Sequence, residues 1–218
     1  MKETSEHTIK IFLKFGQKEH IKDLFENGTI FLNSIEYFRK LEDNGLRGDR
    51  YEGISKLHNL PSGEFEIKSL NYKGKYISMQ IRESYQEIIG NIYSLYAVSS
   101  FGFPNPLEFK IDDRNSEFGS HCLMIKNLPL FFQKIEQELN NLKLKFRHGF
   151  VKYYDASKFN GQITLFQKPM EYEYQKEFRF YVERNSTEPL ILNIGSLKDI
   201  AEIYESKELI KEIELTVK

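Results

Sequence analysis

The chain has 218 residues, 40% of them hydrophobic and 29% charged, a balance that suits one substantial folded domain or two small ones and excludes a disordered polymer. Lys and Arg number 31 against 32 Asp and Glu, leaving a formal charge of −1, so no basic footprint covers the chain as a large nucleic-acid interface would require, though a local contact stays open. Cys122 is the only cysteine, which excludes an intramolecular disulfide and a cysteine-built metal site.

In chain order, residues 8–15 read as a buried strand, ended by Gly16 and followed by a helix over 17–27 with Ile21, Leu24 and Phe25 inward. Gly28 is the expected stop of that helix. A short strand over 29–33 leads to Ser34, expected as the N-cap of a helix over 35–42. Residues 43–53 form a loop dense in charge and glycine. Three strands are expected over 52–57, 64–70 and 75–81, the last two joined by a turn over 71–74. Another apolar strand covers 92–100, and a looser stretch with Pro104 and Pro106 follows.

Residues 120–126 read as a strand, and Asn127 caps a helix over 128–141 with Pro129 in its first turn. Strands over 143–154 and 162–167 precede one that opens at Glu177 and alternates Phe178, Phe180 and Val182 on one face. A last strand over 190–194 and one or two helices from Ser196 complete the pattern. Helices come early and strands dominate the middle, which predicts a single α+β domain over 1–218, with mixed, mainly antiparallel sheets and flanking helices. No apolar run has the length of a membrane span, and the first eight residues lack the basic and apolar regions of a signal peptide. The expectation is a soluble cytoplasmic protein with no membrane contact.

Four constellations carry chemical meaning. Gln175 and Glu177, two apart at the mouth of a strand, would share one face by alternation. A carboxylate there suits the stabilisation of an oxocarbenium-like sugar, with the amide orienting an acceptor. The plainer reading of Glu177 is a solvated cross-strand partner of a lysine. Ser99, ending an apolar strand, could brace such a carboxylate or simply terminate the strand. Arg47 and Arg50, in a loop with two glycines, could hold a pyrophosphate, with Tyr37 or Phe38 stacking on a ring; an exposed salt-bridged loop explains them equally. Lys14 and Phe15 end the first strand, where a nucleotide contact is common, although Lys14 also reads as an ordinary exposed lysine. With 18 Phe, 13 Tyr and no Trp, ring packing must fill much of the core, so a single Phe is a weak functional signal. His7, His20, His58, His121 and His148 show no metal-ligand spacing, and neither a P-loop nor a Gly-x-Gly-x-x-Gly run is present.

Taken together, the first strand, the helix and short strand to residue 33, the acidic turn at 37–43, the serine-ended strand at 97–100, Val151-Lys-Tyr153, and Lys168, Tyr172 and Glu177-Phe-Arg179 resemble a widespread family of bacterial proteins of unknown function. That layout is similar to the ADP-ribosyltransferase fold, including toxins of toxin–antitoxin and phage-defence systems. The resemblance implies NAD as substrate, Glu177 as the catalytic glutamate, Gln175 as the acceptor-side residue and Ser99 as the mid-fold serine. It implies an acceptor that is RNA, DNA or protein, and an antitoxin protein as partner. The cofactor contacts expected are Lys14, Phe15, Tyr37, Phe38, Arg47 and Arg50. Lys14 stands nearest the place where such enzymes carry an arginine or histidine, which leaves Arg47 or Arg50 as candidates for that role. Two rival readings remain: a non-catalytic nucleotide- or partner-binding domain of the same fold, and a magnesium-dependent nucleic-acid enzyme using Asp49, Glu52 and Glu177.

Overall fold

A computed structural model describes residues 7–40, 51–85 and 90–214. The first half runs β1 (Ile9–Gly16), α1 (Lys18–Asn27), β2 (Thr29–Ser34), α2 (Ile35–Lys40), β3 (Ile54–Leu60), β4 (Gly63–Ile67), β5 (Tyr72–Tyr76), β6 (Met79–Ser84) and β7 (Asn91–Ser99). The second half runs β8 (His121–Ile125), α3 (Leu128–Asn141), β9 (Phe146–Phe150), β10 (Lys152–Tyr154), β11 (Gly161–Gln162), β12 (Gln167–Pro169), β13 (Glu177–Val182), β14 (Leu190–Asn193), β15 (Ala201–Glu205) and α4 (Ser206–Glu212). The architecture is α+β with mostly antiparallel pairing, as composition and order predict.

Local signals place the helices. Gly28 adopts φ 70°, donates its N–H to the Leu24 carbonyl and ends α1; a Cβ there would lie 2.1 Å from the Gly195 carbonyl oxygen. Ser34 Oγ accepts from Tyr37 N at 3.1 Å, and Asn127 Oδ1 accepts from Leu130 N at 3.2 Å, so both expected caps form.

The strands expected over 75–81 and 162–167 are each split, into Tyr72–Tyr76 with Met79–Ser84 and into Gly161–Gln162 with Gln167–Pro169, and three further expectations are corrected. The 64–70 strand stops at Ile67 because a 3-10 turn over Lys68–Leu70, with Asn71 at φ 47°, reverses the chain earlier than expected. The single strand over 143–154 breaks after Val151: its N–H still bonds the Glu177 carbonyl opposite it at 3.0 Å, but Lys152 N turns to the Phe166 carbonyl and Glu177 N to the Tyr153 hydroxyl, so the ladder stops there. Residues 201–205, expected as helix, form β15. They pair with β8 from Ala201↔Ile125 to Glu205↔His121, where the edge of a sheet supplies partners that local propensity does not register.

The central sheet is organised by β7. One of its edges is taken by β13, from Val182↔Asn91 to Glu177↔Tyr96, and β9 lies beyond. The other edge is shared: β1 pairs near the C-terminal end of β7 (Leu13↔Tyr96, Phe12↔Ala97), and β2 at its N-terminal end (Asn33↔Ile92, Ser34↔Asn91). Between them, Tyr93, Ser94 and Leu95 face a fork where β1 and β2 part.

Alternation then sorts the side chains into two faces. Phe12, Tyr93, Leu95, Ala97, Phe178, Phe180 and Val182 pack with Ile21 and Leu24 of α1 and Phe131, Ile135 and Leu139 of α3 into the main core. Phe12 and Phe178 lie 5.1 Å apart between ring centroids, and Phe132 adds edge contacts to Phe178. On the opposite face, Leu13, Phe15, Tyr96, Val98 and Cys122 pack beneath Leu209 and Ile210 of α4. Ser94, Glu177 and Arg179 share that second face by register, next to the three-stranded sheet β11–β3–β6 and the parallel pair β10–β12.

Candidate active site at the strand fork

The fork opens a cleft of about 680 Å³, within the range of roughly 300–1,000 Å³ typical of small-molecule and cofactor sites. Aromatic residues form much of its walls: Phe15 at the end of β1, Phe31 on β2, Tyr37 and Phe38 on α2, and Tyr93 and Tyr96 on β7. Phe31 and Tyr37 are 50% and 42% exposed and stand at the solvent side. Lys14 enters from β1. Its Nζ donates to the Ser94 carbonyl at 2.9 Å and sits 4.2 Å from the centroid of the Tyr93 ring, so the lysine fills the gap in the ladder.

The lining also includes a buried ionic chain. Glu177 opens β13 only 6% exposed. Its Oε1 accepts from Lys168 Nζ at 2.5 Å and its Oε2 from Arg179 Nη2 at 3.2 Å. Arg179, 1% exposed, reaches on to both carboxylate oxygens of Glu52, at 3.0 and 3.3 Å, and to the Leu165 carbonyl. Lys168 donates its second bond to Gln175 Oε1 at 2.9 Å. Burial pushes the Glu177 carboxyl up, but the Lys168 and Arg179 charges, with hydrogen bonds from Lys168 and Ser94, outweigh it and hold the group at about 2. Glu177 is therefore a carboxylate throughout the physiological range. Its backbone is pinned as well: Glu177 N donates to the Tyr153 hydroxyl at 2.9 Å, and burial carries that phenol well above its usual range.

Gln175 and Glu177 do meet, though not by strand alternation. Gln175 ends a 3-10 turn over Met170–Gln175, and Lys176 at φ 39° swings the chain into β13. What brings the two side chains together is the Lys168 ammonium. The lysine partner expected of Glu177 is present too, but it is buried and comes from β12.

Of the other sequence candidates, Lys14, Phe15, Tyr37 and Phe38 all line the cleft with Gln175 and Glu177. Arg47, Arg50 and Asp49 lie outside the described residues. Ser99 is not brought to Glu177. Its Oγ accepts from Gly102 N at 3.2 Å, and it borders a separate pocket of about 30 Å³ with Phe101 and Tyr153. Ser94 is the serine on the face of Glu177, and it helps to hold the carboxyl down. Five positions along β7 put the two serines on opposite faces, so register alone excludes Ser99. Glu52 and Glu177 converge on Arg179, and among the described residues no three His, Cys, Asp or Glu side chains gather as a metal site. No helix among the described residues is long and apolar enough to cross a membrane.

No protein family, curated protein or solved structure matches this chain.

Proposed function

We propose that the chain is an ADP-ribosyltransferase-like enzyme that uses NAD as substrate and transfers its ADP-ribose to a macromolecular acceptor, RNA, DNA or protein. The observation that carries the reading is Glu177, an ionised carboxylate lining an aromatic-walled cleft where two strands part from a shared neighbour. Nicotinamide in NAD is a pyridinium. When its bond to the ribose C1′ breaks, the base takes the bonding pair and leaves neutral, needing no general acid. The sugar is left electron-poor, and the acceptor nucleophile bonds to C1′ and gives up its proton.

One ionised carboxylate meets that requirement. A carboxylate offers about four lone-pair sites; Lys168 and Arg179 use two, leaving room for a ribose hydroxyl beside the developing cation. Glu52 has both oxygens on Arg179 and serves as its anchor. Phe15, Tyr37 and Phe38 supply ring faces, Lys14 a cation for the pyrophosphate, and Gln175 the acceptor-side amide. The resemblance to toxin and phage-defence effectors makes the biological role an intracellular toxin, held in check by an antitoxin protein.

A non-catalytic nucleotide-binding domain is the second reading, favoured by one observation: two cations already sit on Glu177, lowering the charge it presents. The two readings part on chemistry. The enzyme reading expects nicotinamide release from NAD by the parent, lost in Glu177→Gln and strongly reduced in Glu177→Asp, which keeps the charge and the fold. Saturable NAD binding with no nicotinamide released by any form would leave the binding-domain reading.

A further inference from the structure

The pairing of Gln175 with Glu177 has no local cause. A turn separates the two residues from a common strand face, and Lys176 between them is left-handed. Lys168 lies seven residues before Gln175 and nine before Glu177, on β12, whose pairing with β10 (Tyr153↔Lys168) sets it beside Tyr153. Lys168 is 5% exposed, and its ammonium donates to both side chains, at 2.9 and 2.5 Å. From this geometry we infer that Lys168 is a positioning residue: one buried ammonium assembles Gln175 and Glu177 into a working pair and fixes which end of the Gln175 amide is presented.

The second half of that statement follows from donor chemistry. An ammonium has three donors and no acceptor, so only the oxygen of the Gln175 amide can face it. The amide nitrogen is thereby turned to the other side, where Nε2 donates to the Tyr174 hydroxyl at 3.2 Å. The ammonium thus fixes the sense of the amide, oxygen toward Lys168 and nitrogen toward Tyr174. Arg179 cannot replace Lys168, because its Nη1 and Nη2 groups are divided among Glu52, Glu177 and the Leu165 carbonyl.

The inference rests on the proposed reaction only for its catalytic consequence, and its test is built to stand without it. Lys168→Met removes the charge at similar length, and Lys168→Arg keeps a charge while changing the donor geometry. Two spectroscopic readouts are followed in the full chain: the side-chain amide resonance of Gln175, assigned by its loss in Gln175→Ala, and the carboxyl-carbon titration of Glu177. In Lys168→Met the Gln175 amide loses its distinct resonance and its protection from exchange. The Glu177 midpoint moves up by roughly 1–3 pH units, the usual effect of losing one opposite charge. In Lys168→Arg the Glu177 midpoint stays within about half a unit while the amide resonance shifts, because charge survives and the bridge does not.

If turnover is present, Lys168→Met lowers kcat by on the order of 10²-fold, as for a misplacement of about 1 Å, with NAD affinity little changed. Both signals unmoved in a folded Lys168→Met overturns the inference, as does a Lys168→Arg form indistinguishable from the parent should the Met form not fold. A parent without turnover that still shows both spectroscopic changes refutes the proposed reaction and leaves the positioning role standing.

Discussion

Replacing Arg179 by methionine tests whether the ionic chain holds the cleft together. The guanidinium is 1% exposed and bonds Glu52, Glu177 and the Leu165 carbonyl. Methionine fills much of the same volume, so packing loss is small and the main effect is electrostatic. Glu177 keeps Lys168, whereas Glu52, 8% exposed, loses the partner that occupied both its oxygens. Removing one member of a buried pair costs about 3–5 kcal/mol, a large share of the roughly 5–15 kcal/mol that stabilises a typical protein. In urea, with a slope near the upper end of about 1–3 kcal/mol/M, the unfolding midpoint falls by about 1–2 M. Adding Glu52→Gln to Arg179→Met removes the stranded charge and restores part of the loss, so the two changes are strongly non-additive. A loss of under about 1 kcal/mol, the value of an exposed pair, with simple additivity in the double variant would refute the buried-network account.

Stability against acid follows from Glu177, whose carboxyl is held at about 2 against an ordinary value of 4.5. A depressed carboxyl contributes stability that is complete above its unfolded value and is lost as pH falls through its folded one, a contribution on the order of 3 kcal/mol fading between about pH 4.5 and 2. Urea midpoints measured at several pH values across that window show the decline in the parent, and Glu177→Gln lacks this component. The two serines of β7 separate by position. Ser94→Ala weakens the hold on Glu177 and lowers turnover of NAD, while Ser99→Ala removes one bond to Gly102 N, costs about 1 kcal/mol and leaves turnover unchanged. Equal effects of the two substitutions on turnover would contradict this placement.

Much of this fold was readable because its signals are local. Gly28, Ser34 and Asn127 mark helix ends within a few residues of the bonds they make, and the Phe178–Phe180–Val182 alternation locates β13. Residues 201–205 escaped that reading because β15 exists by virtue of β8, whose Ile125 pairs with Ala201 across 76 positions of sequence. The site divides the same way. Glu177, Gln175, Phe15, Tyr37 and Phe38 lie in motifs that single themselves out, but Phe31, Tyr93, Tyr96 and the partners that set the state of Glu177 do not. Arg179 bonds Glu52 across 127 positions of sequence, and Lys168 reaches Glu177 across a turn that breaks the alternation. Serine choice was a matter of register: Ser94 and Ser99 look alike in one strand, and only the pairing of β13 with β7 reveals which one faces the carboxylate.

The most direct test of the account is incubation with NAD labelled in its ADP-ribose half, together with separate pools of cellular protein, RNA and DNA, for the parent and for Glu177→Gln. The account predicts label fixed to one pool by the parent alone, with nicotinamide released in step. A folded parent that fixes no label and releases no nicotinamide, or a Glu177→Gln form that does both at the parental rate, would contradict it.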